Sequence, residues 1–424
     1  MSVTDEPVAG AAAAPLRAAA ASPRPPASIE TLSAPASFDD PDLRRRWLEL
    51  LAASANLDKS FQTPAWFDHL RANPGARPPE PLPAALIVRR DGAGVIDGVV
   101  PLVQDRDALE FVVSRYTLRK VALRAAVVLG GQFLAAEDDA TFDQILGAID
   151  RWAHDCACIT LPSVPTDSFM RRWVDRSPAV RARFIVYAPV DPGTGQIYAT
   201  DFPASFDAYN AGLDGKRRAN FKRKVRVLEK NGKPGRLRRF HQPADVAEFL
   251  QLARAIAQKS WQSGIGVDPF PAEVDWQAKL TDQARRGILR AFILDCGAEP
   301  AAFGVGIQAD GIFQFRATGF DASLASLSPG TVLMYLMFGD LLSGADPVRR
   351  MSFGFGDTPY KRLFCNRGFD ASRVLLMRKT PLNHALRHAH EGLRRLVEQA
   401  KQLYVRVRPP EDKPSAPAAS DGNE

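Results

Sequence analysis

The run Ser328-Pro329-Gly330-Thr331-Val332-Leu333-Met334-Tyr335, with Phe353-Gly354-Phe355-Gly356-Asp357-Thr358-Pro359-Tyr360-Lys361 after it, sets the architecture of this sequence. Before it, Ile312-Phe313-Gln314-Phe315-Arg316-Ala317-Thr318 alternates with the period of a strand. After Pro329-Gly330 the apolar residues thicken to Val332–Phe338, a run too short to span a membrane that reads as a buried helix. Ser343-Gly344 stops that helix, and Arg350-Met351-Ser352-Phe353 begins another strand. The order is strand, loop, helix, strand, then a polar cluster. In such a sheet, free backbone amides and the positive dipole end at a helix start favour a phosphate. Pro329 presets the first turn, and Gly330 removes the side chain that would block close approach.

At 424 residues the chain is long enough for two cores, and its 46% apolar share is that of a globular protein. No apolar run approaches the roughly 18 residues of a membrane-spanning helix. Residues 1–37 are Ala- and Pro-rich without a basic and then apolar leader pattern, and 409–424 are polar, so both ends are expected to be disordered tails. Cys156, Cys158, Cys296 and Cys365 form no Cys-x-x-Cys pair and read as reduced thiols, which favours a cytoplasmic setting. The net charge of +7 is unevenly placed, so its location matters more than its total.

Residues 38–190 read as one domain. A helix from Pro41 carries Leu43, Trp47, Leu50 and Leu51 on one side. Thr63 caps a second helix with Pro64 at its first position; the nearby Phe61 and Trp66 read as core anchors, or Trp66 as a substrate platform. Strands at 84–89, 95–103, 111–114 and 122–129 precede a helix at 140–152, a strand at 156–161, a helix at 167–174 and a strand at 184–188. His69 and His154 stand isolated, as satisfied or solvent-facing side chains.

A Pro-, Gly- and Asp-rich linker at 189–203 opens the second domain, 191–408. From Phe206, one apolar stripe through Tyr209, Leu213, Phe221, Val225 and Leu228 predicts a single long helix ending at Asn231-Gly232. Its Lys216–Lys230 portion is the most basic stretch of the chain: a solvated face, an anion site, or a nucleic-acid surface. Phe221 is the one aromatic there and lies on the stripe, which argues against stacking on single strands and makes nucleic acid a disfavoured partner. Ser260-Trp261-Gln262 follows with Gly264 and Gly266 in a loop. Strands at 289–294, 301–308 and 312–318, joined by tight turns, predict an antiparallel meander. A strand at 373–377 leads to a closing amphipathic helix from Pro381, expected to dock on its own domain, with peripheral membrane contact left open. His384 and His388 lie one turn apart with no third ligand in sight, so no metal is expected.

From Phe206 onward the chain resembles the GNAT acyltransferase superfamily, most of all its cellulose-biosynthesis branch of CelD-type, BcsL-like proteins. The carrying residues are Lys216-Arg217-Arg218-Ala219-Asn220-Phe221, Ser328-Pro329-Gly330-Thr331 and Asp357-Thr358-Pro359-Tyr360-Lys361, with Phe61-Gln62 and Trp66 in the first half. The resemblance implies an α/β (α+β) fold of two tandem GNAT-like domains, each a mixed, mostly antiparallel sheet flanked by helices, the first degenerate. It implies acetyl-CoA or another acyl-CoA as co-substrate, a small-molecule or glycan acceptor, and a diphosphate held at Ser328 and the backbone amides of Gly330, Thr331 and Val332. The reacting centre would lie between the strands at 314–318 and 351–356, with Tyr360 protonating the leaving thiolate. The usual Gln/Arg-x-x-Gly-x-Gly/Ala loop is replaced by a single Pro-Gly, and no glutamate sits on the strand at 312–318.

Acyl transfer needs a base for the acceptor, donors for the oxyanion and an acid for the sulfur. Asp357 is the candidate base and Tyr360 the candidate acid; Arg218, Trp261, Arg316 and Lys361 are candidates for binding substrate. The plainer readings are a helix cap for Asp357, a core aromatic for Tyr360 and a surface amine for Lys361. Three functions follow: an acyl-CoA-dependent N- or O-acyltransferase acting on a sugar or exopolysaccharide precursor, a FemABX-like aminoacyl-tRNA-dependent transferase, and a non-catalytic accessory of polysaccharide biosynthesis.

Overall fold

The computed structural model describes residues 26–56, 58–78, 80–113, 116–189, 194–344 and 346–407. In the first half the order is β1 (Ser28–Leu32), α1 (Pro41–Ala53), α2 (Pro64–Ala72), β2 (Ala84–Arg90), β3 (Ile96–Val113), β4 (Tyr116–Val128), α3 (Asp139–Trp152), β5 (Cys158–Pro165), α4 (Phe169–Arg176), α5 (Pro178–Arg183) and β6 (Phe184–Tyr187). The second half runs β7 (Thr194–Asp201), α6 (Phe206–Gly212), α7 (Gly215–Lys230), β8 (Gly235–Arg239), α8 (Val246–Gln258), α9 (Trp276–Arg285), β9 (Leu289–Cys296), β10 (Glu299–Ala309) and β11 (Ile312–Phe320). It closes with α10 (Pro329–Ser343), β12 (Arg350–Phe355), α11 (Pro359–Phe364), β13 (Arg367–Arg378) and α12 (Pro381–Val407).

One plan occurs twice. An antiparallel meander, β2-β3-β4 or β9-β10-β11, is followed by a helix and then by a strand parallel to the last one, β5 or β12. All strands join one 13-stranded mixed sheet in the order β1-β2-β3-β4-β5-β13-β7-β12-β11-β10-β9-β8, with β6 also on β13. This is an α/β fold of two tandem units on one plan, in a mixed sheet flanked by helices.

The helices form where caps and apolar stripes dictate. Thr63 accepts from the Trp66 amide, with Pro64 in the first turn of α2. The long helix expected from Phe206 to Asn231 is instead two: α6 ends at Gly212, and Asp214 restarts the chain by accepting the Arg217 amide at 2.8 Å. The stripe survives the break, because Phe221 stacks on Phe364 at 5.2 Å and on Tyr335 at 5.4 Å. Burying one such ring stabilises the fold by roughly 1.5–3 kcal/mol. Helix α10, apolar on nearly all sides, is covered by the sheet on one face and by α6 and α7 on the other.

Four further expectations differ from the structure. Residues 28–32, placed in a tail, form β1, whose alternating side chains pair it with β2 (Ile29↔Arg89, Thr31↔Ile87). The strands expected at 95–103 and 111–114 are one continuous β3. A boundary at residue 190 divides the sequence but not the sheet, since β13 pairs with β5 and β6 of the first half as well as with β7. The closing helix, expected to dock on its own domain, instead docks early in α12 on the first half, where His390 meets Tyr187 Oη at 2.6 Å and the Glu110 carbonyl at 3.0 Å, whereas Leu396 and Leu403 further along are exposed.

Cys156, Cys158 and Cys296 are buried and Cys365 half-buried, all unpaired, and burial pushes their thiols up to about 11, 12, 11 and 12 respectively. His69 is buried and satisfied, with Nδ1 2.7 Å from Asp282 and Nε2 3.0 Å from the Gln283 amide. It therefore ties α2 of the first half to α9 of the second. Among the described residues no helix is long and apolar enough to cross a membrane.

Candidate active site

The site begins as a defect in strand pairing. β11 and β12 are parallel partners over three positions only, Ile312↔Arg350, Phe313↔Met351 and Gln314↔Ser352. Beyond them, β11 pairs Phe315 with Gly306 and Ala317 with Val305 of β10, so Arg316 is the extra residue of a bulge. Gly306 is required there, because a Cβ would sit 2.2 Å from the Gln314 carbonyl oxygen. β12 loses register against β7 between Ser352 and Phe355, and Gly354 follows a left-handed turn at φ 65°. Both strands thus leave the ladder at one level, and the gap widens into a cavity of about 400 Å³. Phe315 and Phe353 line its sheet side, Phe270 and Trp276 its outer side, and Trp66 reaches it from the first half.

A second cavity, of about 250 Å³, lies in front of α10 and is lined by Ser328, Gly330, Thr331, Trp261 and Phe364 among others. Tyr360, Gln262 and Thr318 line both cavities. Tyr360 sits edge-on to Phe353 at 6.1 Å, and burial pushes its phenol up to about 12, so it stays protonated and able to donate at neutral pH.

The start of α10 departs from a row of bare amides. Ser328 is left-handed (φ 54°, ψ 48°), which turns its carbonyl over the first turn. The Thr331 and Val332 amides both donate to that oxygen, at 3.0 and 3.2 Å. The Val332 side chain is in the core. Ser328, Gly330 and Thr331 do face the cavity, and no side chain caps the helix. Lys224 of the basic α7 donates to Thr331 Oγ1 at 3.3 Å, and burial lowers its pKa. Arg218 instead folds back on Leu213 O at 2.9 Å and lines neither cavity.

Asp357 is likewise outside both cavities. It is half-exposed and ion-paired with Arg362, one helical turn along α11. Lys361 is buried at the cavity wall, but its ammonium donates to the carbonyls of Phe355 (2.6 Å) and Gly354 (3.3 Å), holding the bent end of β12. Arg316 opens onto the larger cavity, its guanidinium 5.7 Å from the Phe61 ring, and desolvation lowers its pKa. The structure therefore brings together Arg316, Lys361, Tyr360, Trp261 and the α10 start, and leaves Arg218, Asp357 and the Val332 side chain apart.

Sequence reasoning missed Lys279, Gln262 and Thr318. Lys279 follows Trp276 by three residues, the helical spacing that sets its ammonium 4.8 Å from that ring. The pair Gly304 and Gly306 inside a strand was a signal for the bulge.

Residues 215–362 match the family model for an "Acetyltransferase (GNAT) domain". Among solved structures, FemX is 10% identical with a TM-score of 0.58, covering 84% of this chain and 99% of that one. A conserved protein of unknown function from Bacteroides thetaiotaomicron VPI-5482 is 14% identical with a TM-score of 0.49, covering 82% and 100%. A tandem GNAT protein from the clavulanic acid biosynthesis pathway is 15% identical with a TM-score of 0.45, covering 84% and 99%. No curated protein sequence matches the chain. FemX shows the fold over nearly the whole chain, and the GNAT match covers the segment that supplies α10, Tyr360 and both walls of the strand gap. Residues 215–362 thus carry a GNAT-type acetyltransferase domain within this fold.

Proposed function

We propose that this protein transfers an acyl group from a coenzyme A thioester directly to an amine or hydroxyl of a small-molecule or glycan acceptor, with both substrates bound together. One observation carries the reading: Tyr360 lines both the cavity at the uncapped α10 start and the cavity between the parted strands. The donor's diphosphate meets the α10 dipole, Gly330 and Lys224. Its pantetheine arm leads past Tyr360 into the gap, where the bulge at Arg316 frees backbone from the ladder for the thioester carbonyl. The acceptor amine or hydroxyl attacks the acyl carbon, the carbon–sulfur bond breaks, and Tyr360 gives its proton to the departing thiolate. Asp357 has no part in this scheme, because its ion pair with Arg362 holds it outside the cavities. The acceptor's proton leaves through water, and juxtaposition of donor and acceptor supplies much of the acceleration.

A sugar or exopolysaccharide precursor as acceptor, as in the CelD/BcsL-like branch, is supported by Trp66 and Trp276 at the larger cavity, whose ring faces suit sugar rings. A coenzyme A donor and free thiols fit a cytoplasmic setting. A second reading, an aminoacyl-tRNA donor as in FemABX proteins, is favoured by the exposed cations Lys216, Lys222, Arg223, Arg226 and Lys230 on α7. Thermal melting with acetyl-CoA separates the two. At about 100 times its Kd the coenzyme should stabilise the protein by about 2.7 kcal/mol. No shift with acetyl-CoA, together with RNA binding that collapses as salt rises, would replace the first reading by the second.

A further inference from the structure

The larger cavity holds two cations that make no direct ion pair among the described residues. Arg316 projects from the bulge and Lys279 from α9, and each rests against an aromatic ring, Phe61 at 5.7 Å and Trp276 at 4.8 Å. Among the described residues no carboxylate lies within ion-pairing distance of either. The carboxylate that acts on Arg316, Asp58, is itself buried and accepts from Gln314 Nε2 at 3.2 Å instead. Arg316 and Lys279 also repel each other across the cavity. Two like charges facing one cavity are relieved when an anion enters between them. Lys361, the third cation of the wall, is already held by two backbone carbonyls. The donor's phosphates do not answer this need, since the α10 start and Lys224 lie at the other cavity, beyond Tyr360.

Building on the acyltransferase reading, we propose that the acceptor carries a carboxylate or phosphate, bound between Arg316 and Lys279 on the side of Tyr360 away from α10. The guanidinium grips the anion in two-pronged fashion, Lys279 adds a point charge, and the aromatic wall takes the uncharged part of the molecule. A cavity of about 400 Å³ suits a small acceptor.

The test uses the full chain, its Arg316→Gln, Arg316→Lys and Lys279→Gln variants, and acetyl-CoA as donor. Matched acceptors are glucosamine, 2-amino-2-deoxyglucuronate and glucosamine 6-phosphate. Tryptophan fluorescence, to which Trp66 and Trp276 contribute, is titrated with inorganic phosphate and with malonate. One anionic sugar should be acetylated at least about 10-fold more efficiently than glucosamine, and which one it is separates carboxylate from phosphate. Arg316→Gln should raise KM for that acceptor by about 10- to 100-fold and leave KM for acetyl-CoA within about two-fold, with Arg316→Lys in between. The matching inorganic or dicarboxylate anion should bind saturably to the parent and lose affinity in Lys279→Gln. Equal use of all three sugars, anion binding unmoved by the variants, or selection of succinyl-CoA over acetyl-CoA that depends on Arg316 would overturn the proposal. Failure of acetyl-CoA to stabilise the protein would instead remove the donor reading, while the anion titrations still judge the cavity.

Discussion

The parallel pair β4–β5 and the parallel pair β11–β12 are each held by three residue pairs before they diverge. Between the diverging ends of β4 and β5 the chain itself fills the gap, and a cavity of about 1100 Å³ lies outside it against Asn56, Gln132 and Pro165. Asn56 donates to Gln62 Oε1 at 2.5 Å, Gln62 donates to Gln132 O at 2.7 Å, and the chain turns tightly at Gly130 and Gly131. A Cβ on Gly130 would meet Gln62 at 2.4 Å, and one on Gly131 would meet the Ser163 carbonyl at 2.6 Å. Beyond β11 the same gap is a cavity. The helices that follow differ in the same sense: Asp138 caps α3 by accepting the Thr141 amide at 2.8 Å, with Asp139 beside it, whereas α10 has no side-chain cap and no acid in its first turn. The backbone plan does not make a site. On the proposed reading, the α10 start is left open to an anion because the protein has not supplied its own carboxylate there.

The largest effect should come from the group that links the two open cavities. Tyr360→Phe should lower kcat by about 10²- to 10³-fold while acetyl-CoA affinity, read by melting, stays put. Because burial raises the phenol to about 12 from its ordinary 10, the protonated form persists, and the rate should show no loss from this group between pH 7 and 10. A fall with a midpoint near 9 would mean that another acid serves the thiolate. Next comes an attempt to make the second gap resemble the first. Gly330→Leu puts bulk where a Cβ already lies 3.3 Å from the Phe320 ring, and it should erase most of the roughly 2.7 kcal/mol of stabilisation expected from saturating acetyl-CoA. Retained stabilisation would move the donor away from α10. The reverse change, Gln62→Ala, opens the first gap. It should cost about 1–3 kcal/mol in urea unfolding by stranding Asn56 and the Gln132 carbonyl, and it should leave turnover alone.

Much of the second gap was legible in the sequence because its determinants are local. Proline at a first helical position and glycine beside it announce α10, and Cys296-Gly297 and Ala309-Asp310-Gly311 announce the turns of the meander, where Gly297, Asp310 and Gly311 all have positive φ. What was not legible comes from distant parts of the chain. Trp66, read as either core anchor or platform, is both nearly buried and a cavity wall, and contacts between the two halves, the tie of His69 to α9 among them, bring it there. Lys279 looks like any amphipathic-helix lysine until Arg316 is set across from it. The break at Leu213-Asp214 was hidden by an apolar stripe that continues through it, since periodicity registers the face of a helix and not its interruption.

The smallest effect is the most pointed, because it concerns a residue whose chemistry resembles that of a general base and whose position does not. Asp357 follows the bent end of β12, three residues before Tyr360, and sequence alone gives the two equal claim to the reaction. In the fold they separate. The Tyr360 ring enters the cavities, while the Asp357 carboxylate turns outward to Arg362 and the Tyr198 hydroxyl. An exposed ion pair of this kind contributes less than about 1 kcal/mol and weakens with salt. Asp357→Asn should therefore shift the urea midpoint only slightly and leave kcat/KM within about two-fold for the best acceptor. A loss of 10²-fold, with the fold intact and acetyl-CoA still bound, would mean that the carboxylate swings inward when substrate arrives. The proton would then leave through Asp357, and the open gap would be only half of the catalytic apparatus.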